Sequence, residues 1–258
     1  MDMLIAMLSG SGYDGFEETK HELLAYIEDS KFDEEELKDI AGEYGIAFRT
    51  EIIPPQNWNA LWESNFEPVI INDFCTIRAH FHNIEVRTAY DIVITPKMSF
   101  GTGHHATTQL MMLQMKDMDL TAKSVLDFGT GTGVLAILAE MLGAAHVLAI
   151  DNDDWCIENA GENVERNHCK NIGVQKGSLE DMPFGKTDII LANINRHILL
   201  QYMTTLYQRL THEGIILMSG LLADDKDIML GSAADAGFQF CNLTEQGGWI
   251  SLMFKRCK

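Results

Sequence analysis

Ser124-Val125-Leu126-Asp127-Phe128-Gly129-Thr130-Gly131-Thr132-Gly133-Val134-Leu135-Ala136-Ile137 is the stretch whose reading decides the fold. It reads as a short apolar strand, a glycine-rich turn and the start of a helix. Beyond the turn, Val134, Leu135, Ile137, Leu138, Met141 and Leu142 fall at helical spacing on one face, and Gly143 supplies a stop. A second apolar run, His146-Val147-Leu148-Ala149-Ile150, closes on Asp151. Strand, glycine turn, helix and a strand ending in an acid make the first half of a nucleotide-binding βαβ unit.

The glycine spacing narrows the ligand. A dinucleotide fingerprint runs G-x-G-x-x-G, whereas Gly129, Gly131 and Gly133 alternate and Val134 follows. Preceded by the acid Asp127, that spacing looks like the S-adenosylmethionine loop of class I methyltransferases. Such a loop needs backbone that a ligand can approach closely, which a Cβ would block. The ligand carries no phosphate, so no lysine clamp is required, and the loop has none. Asp151 stands 22 residues beyond Gly129, where a carboxylate can accept from both ribose hydroxyls. The bland alternative is a glycine turn with a solvated acid at a strand end.

Composition bounds the rest. The 258 residues suffice for one large α/β domain and a small second one, and 46% hydrophobic residues support an ordinary core. No apolar run reaches the about 18 residues of a membrane span, and the N-terminus lacks a secretory pattern. Five scattered cysteines without a C-x-x-C fit reduced thiols, so a cytoplasmic protein without structural zinc is expected. Acids outnumber bases 38 to 19, for a net charge of −19. Direct nucleic-acid binding is not expected from that balance, since phosphate contacts demand a basic face. The charge either attracts a cationic substrate or only keeps the chain dissolved.

Taken in order, the chain opens on short α+β elements. Met3, Leu4, Met7 and Leu8 suit one face of a helix, Glu22–Ile27 a strand, and Asp33 an N-cap followed by three acids. Pro54-Pro55 mark a boundary, giving residues 1–53 as an N-terminal domain and 54–68 as a connecting helix and linker. On that helix Trp58, Trp62 and Phe66 recur every four residues, an interdomain packing stripe, and Pro68 ends it. Residues 69–258 form the remaining domain. Val69–Ile71 and Ile92–Ile94 read as strands leading into it. Phe100-Gly101-Thr102-Gly103-His104-His105-Ala106-Thr107-Thr108 is a second glycine-rich loop, with Thr107 or Thr108 as N-cap of a helix over 109–115. The adjacent His104 and His105 do not suit one metal ion, and Met111, Met112, Met115 and Met118 read as core filler. Helix 154–167, strands 172–175, 188–195 and 215–218, and a closing hairpin 238–243 with 249–254 follow.

Three blocks, FGTGHHATT, DFGTGTG with its following AID, and DIILANIN, stand in fixed order. Together they resemble the bacterial methyltransferases of ribosomal protein L11, the PrmA family. The connector Trp58-x-x-x-Trp62-x-x-x-Phe66-x-Pro68 and the strand end Met218-Ser219-Gly220-Leu221-Leu222 extend the likeness, which covers residues 54–254. The resemblance implies an α/β fold: a Rossmann-like, mostly parallel seven-stranded sheet with an antiparallel last strand. It adds a small ferredoxin-like α+β domain, incomplete here because Met1 already begins at the helix. It implies S-adenosylmethionine as cofactor, held by Thr108, Gly129, Asp151 and Asn193, with Phe100, Gly101 and Gly131 lining the pocket. It also implies ribosomal protein L11 as the partner, selected by residues 1–53 and methylated on lysine side chains, its N-terminal α-amine or both. Thr130 and Thr132 stand where the family often has Cys and Ser, and Asn195 where an apolar residue is usual.

Methyl transfer to an amine is an in-line displacement, so position matters most. Asn193, at the edge of the fourth strand, is the expected catalytic residue, its carbonyl aiming the amine. The amine must be neutral, which costs about 4.6 kcal/mol for lysine at pH 7 and about 1 to 1.4 kcal/mol for an α-amine. His104 is the nearest side chain in sequence that could act as a base. The competing readings are a methyltransferase for another substrate and a non-catalytic S-adenosylmethionine-binding module.

Overall fold

The computed structural model describes residues 2–19, 22–52, 66–97, 99–181 and 185–257. Trp58 and Trp62 of the expected aromatic stripe lie outside them. The chain divides into two compact units, Met1–Leu61 and Trp62–Lys258.

In the first unit, helix α1 (Asp2–Gly10), strands β1 (Gly15–Glu18) and β2 (Leu23–Tyr26), and helix α2 (Glu34–Tyr44) follow one another. The strands pair antiparallel, and Leu8, Tyr13 and Ile40 make a small core beneath them. Asp33 caps α2 as expected, accepting from the Glu35 and Glu36 amides at 2.9 and 3.2 Å. Of a ferredoxin-like β-α-β-β-α-β order, the described residues form the central α-β-β-α.

The second unit is built on a seven-stranded sheet: β6 (Ser124–Phe128), β7 (His146–Asp151), β8 (Ile172–Lys176), β9 (Thr187–Asn193), β10 (Leu210–Leu222), β11 (Phe238–Gln246) and β12 (Trp249–Arg256). Their order is β11-β12-β10-β9-β6-β7-β8. All neighbouring pairs run parallel except those made by β12, which is antiparallel to both β10 and β11. Central strands buried on both faces read as apolar runs without alternation, as Ile189–Ala192 does, and in Val125–Phe128 the buried Asp127 is the one polar residue. Alternate residues nevertheless serve opposite cores. Val125, Ile189 and Leu191 face α3 (Ala106–Lys116) and α4 (Val134–Met141), while Leu126, Ile190 and Ala192 face α6 (Arg196–Arg209) and α7 (Lys226–Ala236). Met111, Met112 and Met115 are fully buried in the first of these cores.

Val69–Ile71 and Ile92–Ile94 are strands, as expected, and lie outside the large sheet. As β3 (Val69–Ile71) and β5 (Tyr90–Ile94) they flank β4 (Cys75–Ala79) in a separate three-stranded sheet, antiparallel then parallel. Arg78 breaks the apolar run of β4, and in the fold it forks onto the Asp91 carboxylate at 3.0 Å.

The free edge of β5 is closed by helix α5 (Asp154–Arg166) and its C-cap, through asparagines spaced by four. Asn159 donates to the Thr95 carbonyl at 2.9 Å, and Asn167 both accepts from and donates to Val93. Asn163, fully buried, accepts from the Thr95 amide at 2.7 Å and donates to the Thr132 carbonyl at 2.9 Å. Asn163→Ala strands both groups, so it should destabilise the unit by about 1–3 kcal/mol per orphaned partner in urea unfolding. A variant as stable as the wild type would show that water replaces the amide.

Candidate active site

The carboxyl ends of β6 and β9 open on a cleft lined by Phe100, Gly101, Thr108, Gly129, Thr130, Val134, Leu135 and Asn193. Five of the seven expected cofactor residues therefore share one cleft: Phe100, Gly101, Thr108, Gly129 and Asn193. Gly131 and Asp151 are not among its lining residues but adjoin the same loop. The Gly131 amide donates to Asp151 Oδ2 at 3.0 Å, and Asp151 Oδ1 accepts from the Asp153 amide at 3.1 Å. Each carboxylate oxygen keeps further acceptor capacity.

The loop after β6 is held from outside. Gly131 adopts φ +56°, and a Cβ there would overlap the Phe100 carbonyl oxygen. That carbonyl accepts from the Thr132 amide at 2.9 Å, and Thr132 Oγ1 donates to the Gly101 carbonyl at 2.7 Å. The two glycine-rich stretches recognised separately in the sequence thus form one piece of structure.

Asp127 was legible as an acid before the turn, but its environment was not. It is 1% exposed, and its Oδ2 accepts from Thr130 Oγ1 at 2.6 Å. Burial pushes its carboxyl up to about 7, against the opposing bonds from Thr130 and the Ala136 amide, with the Asp151 charge adding to the rise. Its other oxygen has no partner.

Asn193 ends β9 with its amide Nδ2 donating to Thr108 Oγ1 at 3.3 Å. Its Oδ1 is buried and unpartnered. Leaving such a carbonyl unmatched costs about 1–3 kcal/mol, so it marks a place prepared for a donor. Thr108 is placed to make this bond because it sits fully buried inside the first turn of α3. The expected cap is corrected accordingly: neither Thr107 nor Thr108 caps α3. His105 does, its Nδ1 accepting from the Thr107 amide at 3.3 Å. Any acceptor in reach of the second helical amide serves there, imidazole included.

His104 does not stand ready as a base. Its Nε2 meets the Glu67 carbonyl at 3.0 Å and its Nδ1 the Thr102 hydroxyl at 3.1 Å. Asn195, the polar residue at a usually apolar position, caps α6 by accepting from the Ile198 amide at 3.2 Å.

Residues 11–257 match the family described as ribosomal protein L11 methyltransferase (PrmA). The chain belongs to this family. It is 41% identical to the ribosomal protein L11 methyltransferase of Porphyromonas gingivalis, over 98% of this chain and 90% of that one. With the Bacteroides thetaiotaomicron enzyme of the same name the identity is 40%, over 98% and 93%. Among solved structures, the ribosomal protein L11 methylase of Lactobacillus delbrueckii subsp. bulgaricus superposes with a TM-score of 0.68 at 32% identity, covering 75% of this chain and 100% of that one. A methyltransferase from Pyrococcus furiosus, 20% identical with a TM-score of 0.51 over 57% and 81%, shares the fold. The family and the fold make this chain a class I methyltransferase with S-adenosylmethionine as methyl donor.

The cleft fits that donor. Among the described residues lining it there is no Lys or Arg to bind phosphate, and the acid Asp151 stands by its loop. A cationic sulfonium and a ribose suit such surroundings better than a pyrophosphate does.

The raised Asp127 carboxyl sets a pH dependence. The folded chain holds this proton up to about pH 7 while an unfolded aspartate, near 3.8, releases it earlier. The native state thus binds more protons between those values, and stability from this group falls as pH rises through them. Asp127→Asn should therefore gain stability relative to wild type from about pH 4 to about pH 8 in urea titrations. A stability difference independent of pH would show that Asp127 is ionised throughout.

Proposed function

We propose that the chain transfers methyl groups from S-adenosylmethionine to amino groups of ribosomal protein L11, on lysine side chains, the N-terminal α-amine or both. The observation that carries this reading is the unpartnered, buried Asn193 Oδ1 in a cleft suited to the donor. Bound there, the cofactor supplies an electrophilic methyl group on sulfur.

The chain supplies position. Thr108 fixes the Asn193 amide through Nδ2, leaving its carbonyl to accept from the substrate's N–H and aim the nitrogen lone pair. An N–H of the substrate satisfies that oxygen, whereas a substrate that offers no hydrogen-bond donor leaves it unmatched. Phe100, Val134 and Leu135 give the cleft an apolar side that disfavours an ammonium ion and so lowers the cost of presenting a neutral amine. Asp151 would accept from the ribose hydroxyls, and Gly129, Gly131 and Gly101 would let backbone approach the cofactor.

In this reading residues 1–53 select the protein substrate, 54–68 connect, and 69–258 carry the chemistry. The net charge of −19 favours a basic protein partner over nucleic acid. Five unpaired cysteines suit a reducing compartment, and the reaction is placed in the cytoplasm.

Incubating the chain with methyl-labelled cofactor and purified ribosomal protein L11 should label the latter. Asn193→Ala should cut kcat by about a hundredfold or more while changing cofactor affinity much less. Equal losses in turnover and cofactor affinity would make Asn193 a cofactor ligand alone. A fragment from residue 57 onward should bind cofactor nearly as the whole chain does yet fail to methylate intact ribosomal protein L11, because a protein substrate needs an extended docking surface. Full activity of the fragment would move substrate selection into the catalytic unit.

A further inference from the structure

Two histidines that no step of methyl transfer uses grip Phe66, and one of them also holds Glu67. Phe66 and Glu67 are the first described residues after 53–65. The Phe66 ring lies between two imidazoles: His104 meets it edge-on with centroids 4.9 Å apart, and His82 stacks at 6.0 Å and 20°. The same imidazoles take the backbone. His82 Nε2 bonds the Phe66 carbonyl at 2.5 Å, and His104 Nε2 bonds the Glu67 carbonyl at 3.0 Å.

Carbonyls only accept, so both Nε2 atoms carry hydrogen. His82 Nδ1 accepts from the Ala79 amide at 3.1 Å, and in the neutral ring His104 Nδ1 accepts from the Thr102 hydroxyl at 3.1 Å. Each ring is thus a bridge with both ends engaged. His82 anchors its end in β4. His104 anchors its end in the loop that lines the cofactor cleft, one residue from Gly101, whose carbonyl holds Thr132. Gln109 reinforces this loop by donating to the Gly103 carbonyl at 3.0 Å. A continuous path therefore runs from Glu67 through His104 and Thr102 to the glycine turn after β6.

We propose that His104 is a positioning residue that couples the Phe66–Glu67 backbone to the Phe100–Gly101 loop, so that seating the cofactor and fixing residues 66–67 are one event. The proposal rests on the reading that this cleft takes S-adenosylmethionine. Removing either grip loosens the loop before binding, and the cofactor must then order it.

The test is calorimetric titration of the full chain with S-adenosylmethionine, together with amide hydrogen exchange. Cofactor should slow exchange across residues 66–71 of the wild type, a readout that requires no variant. His104→Ala and Phe66→Ala should each weaken affinity about fivefold. The double variant should be little worse than either, because both cut one path. His104→Gln, which keeps a donor, should recover part of the loss. In His104→Ala the cofactor should no longer protect 66–71, while the pH profile of kcat at saturating cofactor keeps both limbs. Unchanged exchange at 66–71 on cofactor binding overturns the coupling, as do additive losses, wild-type affinity in His104→Ala, or a lost acidic limb, which would mark a general base. Failure of the wild type to bind cofactor at all would instead remove the assignment of the cleft.

Discussion

A single carbonyl, that of Phe100, ties together the two glycine-rich loops of the second unit. It rests against the bare α-carbon of Gly131 and accepts the Thr132 amide. Neither contact tolerates a side chain at 131, so the alternating glycines are first a packing requirement between two loops. Asn163 fixes the same Thr132 from behind, and the Gly101 carbonyl takes its hydroxyl. A turn secured at three points is organised before any ligand arrives, and binding then loses less free energy to ordering. Through Asn163, helix α5 links Thr132 to Thr95, the residue after β5.

Much of the fold could be read in advance because its signals are local. A strand–glycine–helix sequence closing on an acid, buried strands as unbroken apolar runs, and a glycine pair between two closing strands each lie within a few residues. What escaped was decided by distant neighbours. Arg78 hides β4 in the sequence, since its charge is matched only by Asp91 on the neighbouring strand β5. His105 displaced two threonines as helix cap because the helix begins a turn earlier, with Thr107 and Thr108 drawn inside it.

The candidate site divides the same way. Gly129, Asp151 and Asn193 stand out by position along βαβ units. The bond from Asn193 to Thr108 joins residues 85 apart, and no local pattern announces it. Asp127 was visible as a motif acid, yet only its burial in the fold raises the carboxyl to about 7, against the bonds from Thr130 and helix α4. His104 looked available beside the cleft. Only the arrival of Glu67, 37 residues earlier, shows that its ring is occupied.

The place of β12 has a consequence for how the chain is made. Residues 249–256 are synthesised after every other strand of the large sheet, yet they lie inside it, between β10 and β11. Until they emerge, β10 presents an open flank and β11 has no partner. Ile250, Leu252 and Phe254, each at most 1% exposed, are missing from the core at that stage. A ribosome that has delivered the whole glycine loop and Asn193 therefore still carries an unclosed sheet, which holdase chaperones would recognise by its apolar flank. In this architecture the large sheet closes only when its last strand is threaded into place.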